Sequence, residues 1–155
     1  MSAREGGAEV LAAILERAGE RARAKGLGYA GELTPSEAWR LHTAGAARIV
    51  DVRTKPEFEL VGRVPGTPLI EWRRYGDTQP NPNFLRELAG VVAPDDPVLF
   101  LCRSGVRSHH AAELATHAGY PSAFNISEGF EGDLDDTSKR GASGWRAAGL
   151  PWEQN

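Results

Sequence analysis

The chain has 155 residues and a single cysteine, Cys102, so it can form neither an intramolecular disulfide nor a multi-thiolate metal site. A secreted disulfide scaffold and a zinc ribbon are therefore excluded. Long hydrophobic runs are missing as well: the longest nearly apolar stretch, Pro97 to Leu101, falls far short of the roughly 20 residues that a membrane-spanning helix requires. Basic residues are not in excess. The 18 Lys+Arg against 21 Asp+Glu give a formal charge of −3, which supplies no general attraction to nucleic acid or to an anionic membrane. The stretch Met1–Glu9 has neither the positive n-region nor the apolar h-region of a secretory leader, so a cytoplasmic location is expected. No repeat recurs at a fixed period. What is left is one domain's length of chain, enough to bury about 68–70% of its unfolded surface.

Helical and extended signals alternate along that chain. Val10, Leu11, Ile14, Leu15 and Ala18 recur at helical spacing within Glu9–Lys25, with charges on the other face. Thr34-Pro35-Ser36-Glu37 carries an N-cap, a proline at the first helical position and the glutamate of a capping box. A helix from Pro35 to about Ala44 is expected to follow. Arg48–Val52 and Val98–Leu101 have the composition of buried parallel strands. Between them lie a short helical segment near Pro56–Val61, a candidate strand at Leu69–Trp72 and a helix near Asn83–Val91. A helix over Ser108–Ala118, closed by Gly119, and a strand at Phe124–Ile126 complete the pattern. The reading is an α/β fold with a mostly parallel central sheet and helices on both faces, in which sites form at the carboxyl ends of the strands. Residues 1–32 are read as a helical extension and 33–155 as the domain; the extension is left to pack on the domain, to self-associate or to stay mobile.

Cys102 directly follows the strand Val98–Leu101 and precedes a helix, which places it at the carboxyl edge of the sheet. The connection Arg103-Ser104-Gly105-Val106-Arg107-Ser108 is a tight turn into a helix N-terminus, with Gly105 supplying backbone freedom. Such a turn aims successive N–H groups at one point and favours an anion there. A thiol at its centre is expected to have thiolate character, and the guanidiniums of Arg103 and Arg107 are expected to favour an anionic substrate. Ser108 is a candidate N-cap.

The segment from Cys102 to Ser108 resembles the active-site loop of rhodanese-family sulfurtransferases. Other segments agree with it: Ile49-Val50-Asp51-Val52-Arg53 with Glu57-Phe58-Glu59 is similar to the family's first core strand and the short helix after it. Gly62-Arg63-Val64-Pro65-Gly66-Thr67 resembles its Gly-His-Ile-Pro-Gly-Ala segment, and Glu128-Gly129-Phe130 with Trp145 and Gly149-Leu150-Pro151 resembles its C-terminal signature. The resemblance spans about Leu33 to Trp152. It implies a domain in which the Cys102 thiolate takes a sulfane sulfur from an anionic donor such as thiosulfate and passes it to cyanide or a thiol acceptor. The backbone of Arg103, Ser104, Gly105, Val106, Arg107 and Ser108 would stabilise the persulfide. No metal, nucleotide or organic cofactor is implied; an acceptor protein is a further candidate partner, nucleic acid and membrane are not. Asp51 and Arg53, at the end of the neighbouring strand, are read as an ion pair that supports the loop.

The sequence departs from that family at two places. Arg63 stands where many relatives have histidine, and the stretch from Gly129 to Trp145 is longer, with Glu131, Asp133, Asp135 and Asp136 ahead of Lys139 and Arg140. This reads as a solvated surface loop; a guide for a basic partner is the alternative. The rival chemistry is that of cysteine phosphatases and arsenate reductases, whose loops follow Cys-x5-Arg. Here Cys102 to Arg107 is Cys-x4-Arg, a tighter ring that suits one sulfur atom and crowds a phosphoryl group. A persulfide carrier for a dedicated partner is a second alternative, and an interaction domain without catalysis a third. His109 and His110 are adjacent on a helix and should face different directions, so no zinc site is expected. Trp72-Arg73-Arg74-Tyr75 either lines the entrance to the site or buries its tryptophan beneath an exposed charged turn.

Overall fold

The computed structural model describes residues 3–155, with side chains from Gly7 onward; the start of the Met1–Glu9 stretch that was read for a leader lies outside them. The elements are α1 (Ala3–Lys25), β1 (Gly31–Leu33), α2 (Pro35–Thr43), β2 (Arg48–Asp51), a single π turn (Glu57–Val61), α3 (Phe84–Ala89), β3 (Val98–Leu101), α4 (Val106–His117) and β4 (Ala123–Ile126). The four strands form one sheet in the order β1-β4-β3-β2, and every pairing among them is parallel. No helix among the described residues is long and apolar enough to cross a membrane.

The period-two alternation of strand side chains divides the core into two layers. Val98 and Phe100 of β3, with Val50, face the side covered by Phe84 and Leu88 of α3 and by Ala111, Ala112 and Ala115 of α4. Leu99 and Leu101, with Ile49, Phe124 and Ile126, face Ile14 and Ala18 of α1 and Ala38 and Leu41 of α2. Helices thus cover both faces of the sheet, as the alternating sequence implied. Cys102 continues the row of Val98 and Phe100 and lies on the α4 side.

The capping box of α2 forms as the sequence predicts. Glu37 N–H donates to Thr34 Oγ1 at 3.2 Å, and Thr34 N–H donates to Glu37 Oε1 at 2.9 Å. The same carboxylate accepts both Arg21 terminal nitrogens, at 2.6 and 3.1 Å, so one side chain caps α2 and pins α1 against it. Arg21 N–H also reaches Glu32 O at 2.9 Å.

Several expectations change. β1 falls where the sequence signals only glycine punctuation, because its three residues carry no period and are held by pairing with β4. The buried stripe of α1 is Ile14, Ala18 and Ala22, whereas Val10 and Leu15 are exposed; the docked arc is narrower than the apolar residues suggest. Leu69–Trp72 is no full strand. Leu69 makes a single parallel bridge to Asp51, and Ile70 and Trp72 N–H groups bond Asp51 O and Val52 O. Pro68 ahead of it has no N–H to extend the ladder. The helix near Asn83–Val91 is shorter, Phe84–Ala89.

Gly31 lies against α1: a Cβ there would sit 2.7–2.9 Å from the backbone and side chain of Ala18. Gly31→Ala is therefore expected to destabilise the fold by about 1–3 kcal/mol through overpacking, read by urea denaturation. Gly7→Ala, which would meet nothing within 4 Å, should give no such loss.

Candidate active site

The site is built where β3 ends. Cys102 is 1% exposed and is followed by a turn through Gly105, whose φ of 102° lies in the left-handed region. A Cβ at Gly105 would collide with the carbonyl of Ser127, so both the dihedral and the space require glycine here. The C-terminal signature closes over the turn from the other side. Phe130 N–H donates to Cys102 O at 2.8 Å and Glu131 N–H to Arg103 O at 2.9 Å. Gly129, with φ of 65°, presses so close that a Cβ would lie 2.6 Å from Arg103 C and O.

Within this turn Gly105 N–H donates to Cys102 Sγ at 3.0 Å, and Ser108 Oγ lies 3.2 Å from the sulfur. The helix begins earlier than expected, at Val106. Ser108 is consequently not an N-cap. It sits in the first turn, fully buried, and donates its hydroxyl to Asn125 Oδ1 at 2.6 Å. The first-turn N–H groups of Val106, Arg107 and Ser108 have no helical acceptor and point from the positive end of α4.

The two arginines of the loop behave differently. Arg107 makes a two-pronged ion pair with Glu57 of the π turn, at 2.6 and 2.9 Å, so its charge is largely neutralised. Arg103 is exposed and, among the described residues, has no carboxylate partner within 4 Å. Burial alone would push the Glu57 carboxyl up, but the Arg107 hydrogen bonds and charge, with bonds from Thr54, outweigh it and hold it at about 2, below its ordinary 4.5.

Asp51 and Arg53 pair as expected, with no exposure on either side. Arg53 donates to both Asp51 oxygens and to Gly62 O, and its guanidinium lies 4.5 Å from the centre of the Phe130 ring. The pair stands under the site, not in it. Arg63 turns to Glu153, Asn155 and the carbonyl of Phe58.

An open cleft leads down to Cys102. Its rim carries Arg73, Arg103 and Arg140 among polar groups, and Leu60, Tyr75 and Val106 among apolar ones; those last three are 72%, 78% and 62% exposed. Of the aromatic cluster, Arg73 and Tyr75 line the cleft, while Trp72 packs edge-on against Phe84 and stacks on His110. The longer loop is exposed at Asp133, Asp135 and Asp136. Its Asp135 carboxylate is occupied by its own turn, accepting from Thr137 and Lys139, and Arg140 returns to the cleft. His109 and His110 do not diverge: both ring edges reach the same Glu113 oxygen, at 3.1 and 3.5 Å. The rings meet there because one presents Nε2 and the other Nδ1. A second depression, between His42, Arg48 and Asp96, lies at the opposite, amino edge of the strands.

Sequence reasoning missed Asn125 and the Glu57–Arg107 pair. An asparagine inside the apolar run Phe124-Asn125-Ile126 was the available signal for the first. The second joins residues 50 apart and leaves no local pattern.

Comparison with known proteins shows the family. The profile of the rhodanese-like domain matches residues 34–136, and the chain belongs to that family. The chain is similar to the crystal structure of Rv0390 from M. tuberculosis, with 46% identity, a TM-score of 0.74, and coverage of 82% of this chain and 99% of the other. It is 37% identical to an uncharacterised protein of Rickettsia prowazekii, over 69% of this chain and 83% of the relative. A thiosulfate sulfurtransferase of Glaesserella parasuis is 30% identical over 65% of this chain and 83% of its own length.

The depressed Glu57 carboxyl makes stability depend on pH. Its contribution is fully present above the ordinary value of 4.5 and is lost as pH falls through that value toward about 2. Glu57→Gln should remove this part of the acid dependence, read as a flatter slope of unfolding free energy between those pH values in urea titrations.

Proposed function

We propose that the protein is a sulfurtransferase in which Cys102 is the nucleophile. The Cys102 thiolate attacks the outer sulfur of an anionic donor such as thiosulfate. A new S–S bond forms to Cys102, the donor's own S–S bond breaks, and sulfite leaves with the bonding pair. Cyanide or a thiolate then attacks the outer sulfur of the persulfide, taking it away and returning the Cys102 thiolate. The observation that carries this reading is the position of Cys102: beneath a tight turn whose Gly105 N–H already bonds the sulfur, at the base of a cleft rimmed by Arg73, Arg103 and Arg140. Gly105 N–H and the first-turn N–H groups of α4 supply fixed donors for the charge on the outer sulfur. Arg103, Arg73 and Arg140 attract the anionic donor; Asp51 and Arg53 hold the framework beneath.

Phosphatase chemistry fits less well. Such chemistry needs an arginine free to clamp a phosphoryl group with both prongs, and here both prongs of Arg107 are taken by Glu57. A protein acceptor is a second reading, favoured by the exposed Leu60, Tyr75 and Val106 beside the thiol, since exposed aromatic and apolar groups next to arginine are typical of contact surfaces.

After treatment with thiosulfate, mass spectrometry should find one added sulfur atom on Cys102, absent in Cys102→Ser. Thiocyanate should form with cyanide, and phosphate should not be released from an aryl phosphate; the reverse pattern would overturn the assignment. Arg103→Ala is expected to raise the KM for thiosulfate several-fold with a smaller effect on kcat, since it removes attraction and leaves the turn in place. A persulfide that forms but is discharged only by a protein thiol would select the carrier reading.

A further inference from the structure

Behind the thiol runs a chain of side-chain hydrogen bonds that the sulfur chemistry itself does not call for. Cys102 Sγ meets Ser108 Oγ at 3.2 Å, and Ser108 Oγ donates to Asn125 Oδ1 at 2.6 Å. The Asn125 amide nitrogen donates to Gly105 O at 3.1 Å and, over a longer 3.5 Å, to Tyr29 Oη. Tyr29 Oη lies 2.7 Å from His109 Nδ1, and His109 Nε2 reaches Glu113 at 3.1 Å. Ser108 and Asn125 are buried at 0% and 4% exposure, and Tyr29 at 6%.

The polarity of the inner links follows from what Asn125 faces. Burial above all pushes the Tyr29 hydroxyl up to about 12, so at neutral pH it keeps its proton and can donate to His109 Nδ1, leaving Nε2–H for Glu113. Tyr29 Oη then accepts from Asn125. Gly105 O, which also takes the His109 backbone N–H at 3.2 Å, can only accept, so the Asn125 atom 3.1 Å from it must be the amide nitrogen and the oxygen must face Ser108. The Ser108 proton is therefore committed to Asn125. A hydroxyl has one proton, so while that bond stands Ser108 can only accept from the sulfur. This geometry suits the thiol, whose S–H donates to Ser108, and not the thiolate, which needs a donor.

We propose that Asn125 is a positioning residue that acts on Cys102 through Ser108, by competing with the sulfur for the hydroxyl proton. In the resting thiol, S–H donates to Ser108 and Ser108 donates to Asn125. When the thiol proton leaves to water, the Ser108 hydroxyl turns to donate to the thiolate, alongside Gly105 N–H, and Asn125 Oδ1 gives up its donor. Asn125 thus holds the thiol form in reserve and weakens the thiolate by the strength of the bond it must release.

The test is the pH midpoint of Cys102 alkylation by iodoacetamide, which needs no sulfur donor and therefore stands or falls separately from the sulfurtransferase reading. Charged groups around the thiol are the same in every variant: Arg107 with Glu57, the Asp51–Arg53 pair, Arg73, Arg103, Arg140 and Glu131 of the cleft, and His109, His110 and Glu113 at the far end. Asn125→Leu removes the competing acceptor and should lower the midpoint by about half a unit to one unit. Asn125→Ala, which removes the same oxygen with less bulk, should do likewise and carries the test if the leucine variant does not fold. Ser108→Ala should raise the midpoint, Ser108→Thr should restore it, and adding Asn125→Leu or Asn125→Ala to Ser108→Ala should cause no further shift. A merely structural role for Asn125 predicts the opposite sign, because loosening Gly105 would withdraw a donor from the sulfur. A raised or unchanged midpoint in folded Asn125 variants, or a full-sized shift without Ser108, would overturn the proposal. If neither Asn125 variant folds, a midpoint unmoved by Ser108→Ala would overturn it alone.

Discussion

The carboxylate of Asp51 and the guanidinium of Arg53 meet at the end of β2 with no solvent exposure on either side. Withdrawing two charges from water carries a penalty of several kcal/mol for each ion, which only close and well-directed bonds can offset. Here Arg53 N–H and Nε donate to Asp51 Oδ1, Nη2 donates to Oδ2 and to Gly62 O, and the guanidinium face rests on Phe130. Those partners come from three separate stretches of chain. Removing either charge would leave the other buried alone, a loss on the order of 3–5 kcal/mol. The site depends on this because Phe130 is also the residue whose N–H bonds Cys102 O. The pair fixes Phe130, Phe130 fixes the carbonyl of Cys102, and Gly129 beside it can then close on Arg103.

This arrangement explains which features were legible in the sequence. Local patterns were read correctly: the Thr34–Glu37 capping box, the apolar run of β3, and the placement of a thiol at the carboxyl end of a buried strand. Each depends on residues within a few positions of one another. The ion pair was legible for the same reason, since Asp51 and Arg53 are two apart and point to one side of a strand. Features made by distant partners were not. β1 exists because Gly31–Leu33 finds β4 across the fold, and its residues have no intrinsic strand signal. Ser108 looked like a cap because serine before an apolar run usually is one; its hydroxyl is instead drawn inward by Asn125, 17 residues away.

The electrostatics of the cleft differ from those expected of the loop alone. With Arg107 engaged by Glu57, the positive field near the sulfur comes from backbone N–H groups at the start of α4, from Arg103 and from two arginines outside the loop. Arg73 follows β2's bridging partner segment, and Arg140 belongs to the longer loop after Gly129. Both are separated from Cys102 by about 30 or 40 residues of sequence, yet line the same cleft. The chain's formal charge of −3 therefore says little about this surface. Field at a site is set by the few charges that face a low-dielectric cleft, not by the sum over the molecule. The neutralised Arg107 has a different use. Its bond to Glu57 ties the π turn to α4 and keeps that wall of the cleft beside the thiol.

A single cysteine constrains the proposed chemistry more tightly than it first suggests. A persulfide on Cys102 has no second thiol in the chain to resolve it, so the outer sulfur must pass to something that enters the cleft. Cys102 itself is 1% exposed, which leaves little room for an acceptor to reach Sγ; the transferable sulfur has to project one bond further out. The turn suits this geometry, since Gly105 N–H and Ser108 Oγ meet Sγ at 3.0 and 3.2 Å and the first-turn N–H groups of α4 are left without helical acceptors. In the proposed reaction the buried sulfur would leave from this donor-lined position, with the outer sulfur held at the base of the cleft for an acceptor to attack. Burial of one atom and presentation of the next follow from the same tight turn, and the absence of a Cβ at Gly105 is what allows that turn to close.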